Sequence, residues 1–372
     1  MKYNSNKFIT ILVFLFIFTV MIILLFTSPK LFSENENRYL ETRPSFSLSK
    51  LFNGRYIKSV ENYLSDQFPY RDLFVGIKTS TDKFIGKTDT NGVYICSDGY
   101  LIEEYKKPMN SDRIIKRLNN FYESMNYINM NLMLVPTSIS INESLIPKNA
   151  PINNQKNELD YIYNNINFDT IKVYDTLLTS NKVYQMFYRL DHHWTTYAAY
   201  YAYVEFAKAN SIDYLSLNSF NIDEVTTDFK GTLYSKSHDY SKESDSIFLF
   251  RRDNEDLEVD YVYEKKQTET LYEMSYLDKK DKYSLFLDNN HPLIIITNNN
   301  IKINTELLII KDSYANSIIP FLTNHYKKIH VIDPRFYKLK ISDYIKENKI
   351  QDLLILYNMN TMDSDTGILS IN

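Results

Sequence analysis

Residues 307–315 read LLIIKDSYA, and this stretch decides the fold that the sequence predicts. Leu307 to Ile310 is a short, continuous apolar run, which is typical of a buried strand. The polar residues 311–313 end that run, and residues 315 to about 324 have the pattern of a helix. A buried strand followed at once by a helix is the repeating unit of a parallel α/β sheet.

The same alternation of strand and helix recurs from about residue 110 onward. Helical spacing is present at Ile114 to Tyr127, at Thr195 to Ala209 with an N-cap at Thr195 or Thr196, and at Ser342 to about Glu347. Short apolar runs that are typical of strands are present at Asn131 to Val135, Ile171 to Tyr174, Ile329 to Ile332 and Leu353 to Tyr357. We therefore predict an α/β fold with a mostly parallel sheet that helices cover on both faces.

The N-terminal region predicts a membrane anchor. Residues 8–27 read FITILVFLFIFTVMIILLFT and contain no charged residue. At a rise of 1.5 Å per residue, about 20 residues span the ~30 Å hydrocarbon core of a bilayer. Because Lys2 and Lys7 precede this run, the positive-inside rule places the N-terminus in the cytoplasm and the rest of the chain outside it.

A cleaved signal peptide is the alternative interpretation of residues 8–27. The apolar core of a signal peptide is shorter, typically about 7–15 residues, and a small-residue cleavage site follows it. Here the apolar run is longer, and the Ser-Pro-Lys sequence at residues 28–30 does not resemble such a site. We therefore favour an uncleaved anchor in the cell membrane.

The chain divides into four predicted segments. These are a cytoplasmic N-terminus at 1–7, a transmembrane anchor at 8–27, a stalk and N-terminal segment with a hairpin at 28–105, and an α/β domain at 106–372. The hairpin is predicted from short apolar runs between Gly-containing turns. Residues 211–300 carry charge runs and few apolar stretches, and we interpret them as an insertion into the α/β domain.

Composition excludes several classes of protein. The 372 residues are 44% hydrophobic and 24% charged, which is typical of a globular protein with a core. A net charge of −4 gives no basic footprint for nucleic acid. With Cys96 as the single cysteine, an intramolecular disulfide and a zinc site built from several thiolates are impossible.

The first candidate for chemistry is the sequence Asp-His-His-Trp at residues 191–194. In an extended segment Asp191 and His193 point to the same side and His192 to the other. A carboxylate beside an imidazole fixes its tautomer and stabilises its charged form during proton transfer. Two alternatives remain open, a purely structural role and a metal site, although adjacent histidines rarely face one ion and no further cluster has ligand spacing.

The second candidate is Ser313. A serine in a sharp turn between a buried strand and a helix presents its hydroxyl above the sheet, and N–H groups at the helix start can stabilise an oxyanion. The alternative is that Ser313 is an ordinary helix N-cap. Ser313 follows the predicted strand Leu307 to Ile310, and the 191–193 segment follows the run Met186 to Leu190, which we also interpret as a strand. Active sites of open parallel sheets gather at the carboxyl ends of strands, which favours a catalytic pairing.

At these residues the sequence resembles the DHHW proteins, membrane-anchored bacterial relatives of the alginate O-acetyltransferase proteins in the SGNH-hydrolase-like class. The resemblance extends over most of the chain after the anchor, and it includes Glu36-Asn37-Arg38 with Pro44, Asp66-Gln67-Phe68-Pro69 with Arg71, Gly92-Val93-Tyr94, Gly99-Tyr100-Leu101 and Lys311-Asp312-Ser313-Tyr314. It implies a three-layer α/β/α domain with a Ser-His-Asp triad.

In this resemblance the triad consists of Asp191, His193 and Ser313. The Asp and His precede the serine, as in the acetyltransferase branch and in contrast to ordinary SGNH esterases. The expected roles are nucleophile for Ser313, general base for His193 and orienting carboxylate for Asp191, with the Tyr314 amide as one oxyanion donor.

Three further residues are weaker candidates. Arg335 and Asn358 each follow a predicted strand and either hold substrate or oxyanion or satisfy loop groups. Trp194 either stacks on a sugar ring or packs in the core. We expect no metal and no cofactor.

The resemblance implies an extracytoplasmic O-acetyltransferase that acts on a sugar hydroxyl of a cell-envelope polysaccharide or exopolysaccharide. Because acetyl-CoA is not expected outside the cytoplasm, the expected partner is a multi-pass membrane O-acyltransferase that supplies acetyl groups across the membrane. The alternatives are a carbohydrate acetylesterase, in which water accepts the acetyl group, and a non-catalytic membrane-anchored envelope protein.

Overall fold

The structure is a computed structural model, and it describes residues 2–33, 35–36, 38–364 and 367–371. Met1 and Asn372 of the predicted segments, and Asn37 of the Glu36-Asn37-Arg38 motif, lie outside the described residues. The chain forms two compact units, Met1–Lys87 with Tyr234–Ser241 and Thr88–Leu233 with Lys242–Asn372, which are described separately. The predicted boundaries at residues 105/106 and 211–300 do not coincide with this division and remain predictions.

The first unit begins with a long apolar helix. Its elements up to residue 87 are α1 (Lys2–Phe26), β1 (Phe32–Ser33), β2 (Arg38–Tyr39), α2 (Leu48–Phe52), α3 (Arg55–Asp66) and α4 (Arg71–Phe84). Residues Lys7–Phe26 of α1 have a mean hydropathy of 3.2, and this is the one stretch in the described part of the chain that is long and apolar enough to cross a membrane. By length and composition, such a helix is either an anchor or a signal sequence.

The remaining elements follow residue 87. They are β3 (Asp89–Thr90), β4 (Val93–Ile95), β5 (Leu101–Glu103), α5 (Ser111–Ser124), β6 (Asn129–Val135), α6 (Ser138–Ile141), α7 (Gln155–Asn165), β7 (Asp169–Thr170), α8 (Tyr174–Ser180), α9 (Thr196–Ala209), β8 (Asn221–Phe229), α10 (Thr232–Ser237), β9 (Asp245–Arg251), β10 (Leu257–Tyr261), β11 (Lys266–Thr268), β12 (Leu293–Asn298), β13 (Glu306–Lys311), α11 (Ile319–Leu322), β14 (Lys328–Ile332), α12 (Ile341–Asn348), β15 (Asp352–Asn358) and α13 (Met359–Ser364).

An eight-stranded sheet organises the second unit, with the strand order β11-β10-β12-β14-β13-β15-β6-β7. The five strands from β14 to β7 are parallel to one another. The three strands β12, β10 and β11 extend the sheet in antiparallel fashion. The predicted α/β fold with a mostly parallel sheet is therefore confirmed, and residues 257–298 contribute its antiparallel edge.

Alternation along the central strand β13 creates a core on each face of the sheet. Leu307 and Ile309 pack into one apolar cluster together with α9. Leu308 and Ile310 pack into a second cluster together with α5, α7 and α12. Because successive side chains of a strand point to opposite faces, one apolar run fills both cores, which explains the continuous apolar run from Leu307 to Ile310.

Three predicted elements differ from the structure. The strand predicted at Met186 to Leu190 is wrong, since Phe187 forms only an isolated bridge with Trp194, and residues 191–193 therefore do not follow a strand of the eight-stranded sheet. The strand predicted at Ile171 to Tyr174 is wrong, since pairing with β6 covers only Asp169 and Thr170, and Tyr174 already begins α8. The continuous helix predicted from residue 315 is a 3₁₀ turn, Ser313–Ser317, followed by the short α11. Pro320 lies in the first turn of α11 and has no N–H to continue the hydrogen bonds of the preceding turn.

Candidate active site

Ser313 lies two residues after the carboxyl end of β13, at the start of the 3₁₀ turn. The carboxylate of the preceding residue, Asp312, caps this turn by accepting the Tyr314 N–H at 2.9 Å. Asp312 also accepts the backbone N–H of Asn358 at 2.8 Å and its side-chain Nδ2–H at 2.7 Å, which ties the turn to the end of β15. Because Asp312 caps the turn, the hydroxyl of the half-buried Ser313 is not needed as a cap and can contact His193.

A buried carboxylate, that of Asp245, binds the residues that precede Asp191. Asp245, which is fully buried at the start of β9, accepts the Leu190 N–H at 2.8 Å. It also accepts the Arg189 Nε–H at 3.2 Å and the Gln185 Nε2–H at 3.0 Å. These contacts fix the backbone immediately before Asp191.

Asp191 and His193 point to the same side, as predicted, but the segment bends instead of being extended. Asp191 Oδ1 accepts the His193 backbone N–H at 2.9 Å, an arrangement that is typical of an Asx turn. The prediction that His192 points away is wrong, because the bend brings its ring centroid to 3.8 Å from that of His193. His192 Nδ1 lies 2.6 Å from Thr232 Oγ1.

The structure joins the three predicted residues in one hydrogen-bonded chain. His193 Nδ1 lies 2.6 Å from Asp191 Oδ1, and His193 Nε2 lies 2.8 Å from Ser313 Oγ. An ionised carboxylate can only accept, so Nδ1 carries the proton and Nε2 accepts from the Ser313 hydroxyl. This arrangement can remove a proton from Ser313 as its oxygen attacks an acyl carbonyl.

The second oxygen of Asp191 is bound by the residues at the start of α10. Oδ2 accepts the Thr232 N–H at 2.7 Å and the Thr232 hydroxyl at 3.0 Å. Gly231 lies so close that a Cβ atom built on it would be 2.1 Å from Asp191 Oδ2. Any side chain at position 231 would therefore displace the carboxylate or the backbone that holds it.

The His193 ring is also fixed by stacking. Tyr283 lies parallel to it, with 3.7 Å between ring centroids and 10° between planes. The Tyr283 hydroxyl donates to Ser317 Oγ at 3.2 Å, so the turn that carries Ser313 and the ring that orients His193 are connected.

Burial and charge keep Asp191 ionised and His193 neutral. Burial alone would raise the pKa of Asp191, but the neighbouring rings of His192 and His193 and the Thr232 N–H hold that pKa well below its usual range. Burial and the nearby His192 lower the pKa of His193 to about 4, although Asp191 opposes the shift. His193 is therefore in its proton-accepting form at neutral pH.

The Tyr314 amide and Asn358 serve the turn in this structure. The Tyr314 N–H, predicted as an oxyanion donor, donates to Asp312. The Asn358 side chain donates to Asp312 and, at 2.6 Å, to Thr361 Oγ1. Both groups therefore hold the backbone around Ser313, which fits the structural alternative given for Asn358 above.

Trp194 and Arg335 have different surroundings. Trp194 is fully buried and its indole N–H donates to the Tyr314 carbonyl at 2.9 Å, so the ring packs in the core and has no surface for a sugar. Arg335 pairs with Asp333, at 2.6 Å from Nη2 to Oδ2. Its charge still reaches the site, since it helps to lower the pKa of His193 and opposes the burial that raises the pKa of Asp312.

A metal ion is the remaining alternative for the Asp-His-His sequence. Asp191, His192 and His193 each offer a ligand atom, and these atoms lie within 4.8 Å of one another. Both nitrogens of His193 and Nδ1 of His192 already have protein partners at 2.6–2.8 Å. An ion would have to displace those bonds, so the geometry favours proton transfer.

Sequence reasoning did not identify Gly231, Thr232, Tyr283 and Asp245. Gly231 and Thr232 lie in the segment that we interpreted as an insertion, and a lone Gly-Thr pair carries no recognisable motif. Tyr283 is one of 32 tyrosines, and Asp245 is one of several acidic residues in a charged run. Their roles arise from distances between segments far apart in the chain.

Replacing Gly231 with alanine tests the fit around Asp191. We expect Gly231→Ala to remain folded and to lose about 10²-fold in hydrolysis of p-nitrophenyl acetate, because a shift of about 1 Å in a catalytic group has that effect. Gly76→Ala is the matched control, since its Cβ would meet Tyr240 at an ordinary 3.5 Å. Equal activity of the two variants, with matching thermal unfolding, would contradict this role of Gly231.

The protonation of His193 is testable by NMR of ¹³C-histidine-labelled protein, which has six histidines. We expect His193 to stay neutral as the pH falls and to gain its proton near a pKa of about 4, below the usual histidine value. His192→Asn keeps a polar atom near Thr232 but removes the ionisable ring whose electrostatic effect lowers the pKa of His193, so that pKa should rise. Titration of His193 at the ordinary value, with no response to His192→Asn, would refute this electrostatic account.

Comparison with solved structures identifies the fold. A DHHW family protein from Eubacterium siraeum DSM 15702 superposes with a TM-score of 0.66 and 23% identity, covering 76% of this chain and 96% of that chain. Bacillus cereus PatB1, solved with a sulfonyl adduct, gives a TM-score of 0.63 and 17% identity, covering 74% and 97%. The O-acetyltransferase domain of Pseudomonas putida AlgJ is more distant, with a TM-score of 0.47 and 13% identity over 73% and 92%.

At these identities, the first two structures establish the α/β fold and nothing about function. No curated protein matches the chain. The DHHW family model matches residues 79–332, which is more than half of the chain and includes Asp191, His193 and Ser313. The chain therefore belongs to the DHHW protein family.

Proposed function

We propose that this protein is an extracytoplasmic O-acetyltransferase that carries an acetyl group on Ser313 and passes it to a sugar hydroxyl of a cell-envelope polysaccharide or exopolysaccharide. The observation that carries the proposal is the hydrogen-bonded chain Asp191–His193–Ser313, with 2.6 and 2.8 Å between successive polar atoms. A structural role alone requires neither a neutral imidazole nor a half-exposed serine at its end.

The first half-reaction loads the enzyme. Ser313 Oγ attacks the acetyl carbonyl while its proton passes to His193 Nε2, and the tetrahedral intermediate forms. The ionised Asp191 stabilises the resulting imidazolium. His193 then returns the proton to the leaving group of the donor, which leaves an acetyl ester on Ser313.

The second half-reaction uses the same residues in reverse. His193 Nε2 takes the proton of the acceptor hydroxyl as its oxygen attacks the acetyl ester. The proton then goes to Ser313 Oγ as the ester bond to serine breaks. The serine is regenerated and the acceptor carries the acetyl group.

Two groups near Ser313 are suited to the negative charge that develops on the carbonyl oxygen. The Ser313 N–H is the first of the turn, a position without an intrahelical partner. The Arg335 guanidinium adds positive potential at the same end of the sheet, as its effect on the pKa of His193 indicates. The Tyr314 N–H contributes only if Asp312 releases it.

A small pocket of about 30 Å³, which is room for one water-sized group, lies beside the triad. His192 and Tyr314 form part of its wall. Its other polar side chains are those of Glu103, Thr137, Ser138, Asn358, Asn360 and Thr361. These hydroxyl, amide and carboxylate groups can form hydrogen bonds with a single hydroxyl group of an acceptor.

The proposed membrane topology of the chain limits where the acetyl group can come from. Residues Lys7–Phe26 anchor the chain, Lys2 and Lys7 keep the N-terminus in the cytoplasm, and the site lies outside. Acetyl-CoA is not expected there, so we infer that a multi-pass membrane O-acyltransferase delivers the acetyl group.

The nucleophile is tested by Ser313→Ala in the full chain purified in detergent. We expect kcat/KM for p-nitrophenyl acetate to fall by about 10³-fold or more, because the covalent route is lost. Ser216→Ala, at an exposed position, is the matched control and should keep the parent rate. Equal rates for Ser313→Ala and the parent would show that Ser313 is not the nucleophile.

Transfer is distinguished from hydrolysis by the products. With p-nitrophenyl acetate as donor and a mixture of envelope oligosaccharides as acceptor, mass spectrometry should show oligosaccharides heavier by one acetyl group, and none with Ser313→Ala. Release of acetate alone, at a rate that the oligosaccharides do not change, would instead identify an esterase.

A further inference from the structure

Helices α2, α3 and α4 expose apolar side chains along much of their length. Among the described residues, α2 and α3 bury none, and α4 buries only Thr79. The exposed side chains include Phe52, Ile57, Leu64, Leu73, Ile77 and Phe84, the last of which is 91% exposed. Isolated helices of this length have marginal stability in water, and their stability in proteins comes mainly from packing of an apolar face. We therefore expect another apolar surface to cover the exposed side chains of these three helices.

Hydrogen bonds connect these helices to the end of α1. Gln67, just after α3, bonds the backbone of Lys30 in both directions, accepting its N–H and donating to its carbonyl, each at 2.9 Å. Arg43 donates to the carbonyl of Leu25 at 3.3 Å. The chain between α1 and α3 is thus folded back onto the end of the apolar helix.

Charged residues of the family motifs reinforce this connection. Arg38 donates to both oxygens of Asp66, at 2.6 and 3.0 Å, and Asp66 Oδ2 accepts the Glu41 N–H at 2.8 Å. Glu36 pairs with both Arg38 and Arg71, and so links β2 to the first turn of α4. None of these residues has a role in the proposed acetyl transfer, so we interpret the network as one that holds this segment in its conformation.

The length of the connection limits how far these helices lie from a bilayer. If residues 7–26 span the hydrocarbon core, Phe26 lies at its boundary. Lys30 is four residues further on, at most about 14 Å away in an extended chain. The headgroup layer is about 5–8 Å thick on each side of the core, so Gln67 and the end of α3 lie in or beside it.

The charge of the segment matches an anionic surface. Between residues 48 and 87, seven lysines and arginines stand against four aspartates and glutamates, whereas the whole chain has a net charge of −4. Amphipathic helices with basic polar residues lie in the interfacial layer of membranes that contain anionic lipid.

We propose that α2, α3 and α4 lie on the surface of the bilayer that α1 spans, with their apolar side chains inserted among the headgroups of anionic lipids. This inference rests on the membrane anchor of the proposed function and adds a second, peripheral attachment to it. The network around Asp66 and Gln67 holds the helices at the point where α1 leaves the bilayer.

The experiment places a fluorescent probe on two faces of α4 in the full chain. Phe84→Cys and Lys78→Cys are each labelled with an environment-sensitive dye, and Lys78 is the control because its side chain is 71% exposed and pairs with Asp82 on the polar face. The native Cys96 is buried, and the labelled parent protein measures its background. The proteins are reconstituted into vesicles of phosphatidylcholine and phosphatidylglycerol with a nitroxide on a shallow position of the acyl chain.

We expect the probe at position 84 to be quenched by the lipid nitroxide several-fold more than the probe at position 78. Phe52→Cys provides a second apolar position with the same expectation. Vesicles that carry the chain after flotation, but quench both probes equally and weakly, would overturn the interfacial placement while the anchor stands. A chain that does not float with the vesicles would refute both the anchor and this inference, whereas esterase activity tests the proposed chemistry separately.

Discussion

The site depends on the Asp191 carboxylate, which is almost completely buried and accepts four hydrogen bonds. Two come from His193 and two from Thr232. Burying a carboxylate costs several kcal/mol unless such partners replace water. The hydrogen bonds with Asp191 also fix the tautomer and position of His193, and the close approach of Asp191 to the backbone requires glycine at position 231. The need of one buried carboxylate for hydrogen-bond donors therefore determines much of the surrounding structure.

A second group of buried charges stabilises the turn that carries Ser313. Lys311 is fully buried, donates to Asn290 and Asn316 at 2.6 Å each, and lies 3.7 Å from Asp333. Burial lowers the pKa of Lys311 to about 8 and raises that of Asp312 to about 6, so both remain largely charged at neutral pH. Polar partners on both sides of the strand end keep the serine in place without using its hydroxyl.

The sequence predicted the features that depend on local pattern. Apolar runs such as Leu307 to Ile310 identified the parallel strands, and the positions after them identified Ser313. It was less accurate where tertiary contacts decide the outcome. The bend at Asp191, which turns His192 toward His193, comes from side-chain hydrogen bonds that periodicity does not encode. The contact of Gly231 with Asp191 joins segments 40 residues apart, and no spacing rule predicts it.

We propose that Asp191 and His193 make Ser313 a nucleophile. It is tested most directly by exposing the full chain to a sulfonyl fluoride, of the chemical class that fits an activated serine, and mapping the adduct by peptide mass spectrometry. We expect one sulfonyl group on Ser313 in the parent protein and almost none in His193→Gln. Absence of label on Ser313, or equal labelling of the parent and His193→Gln, would contradict it.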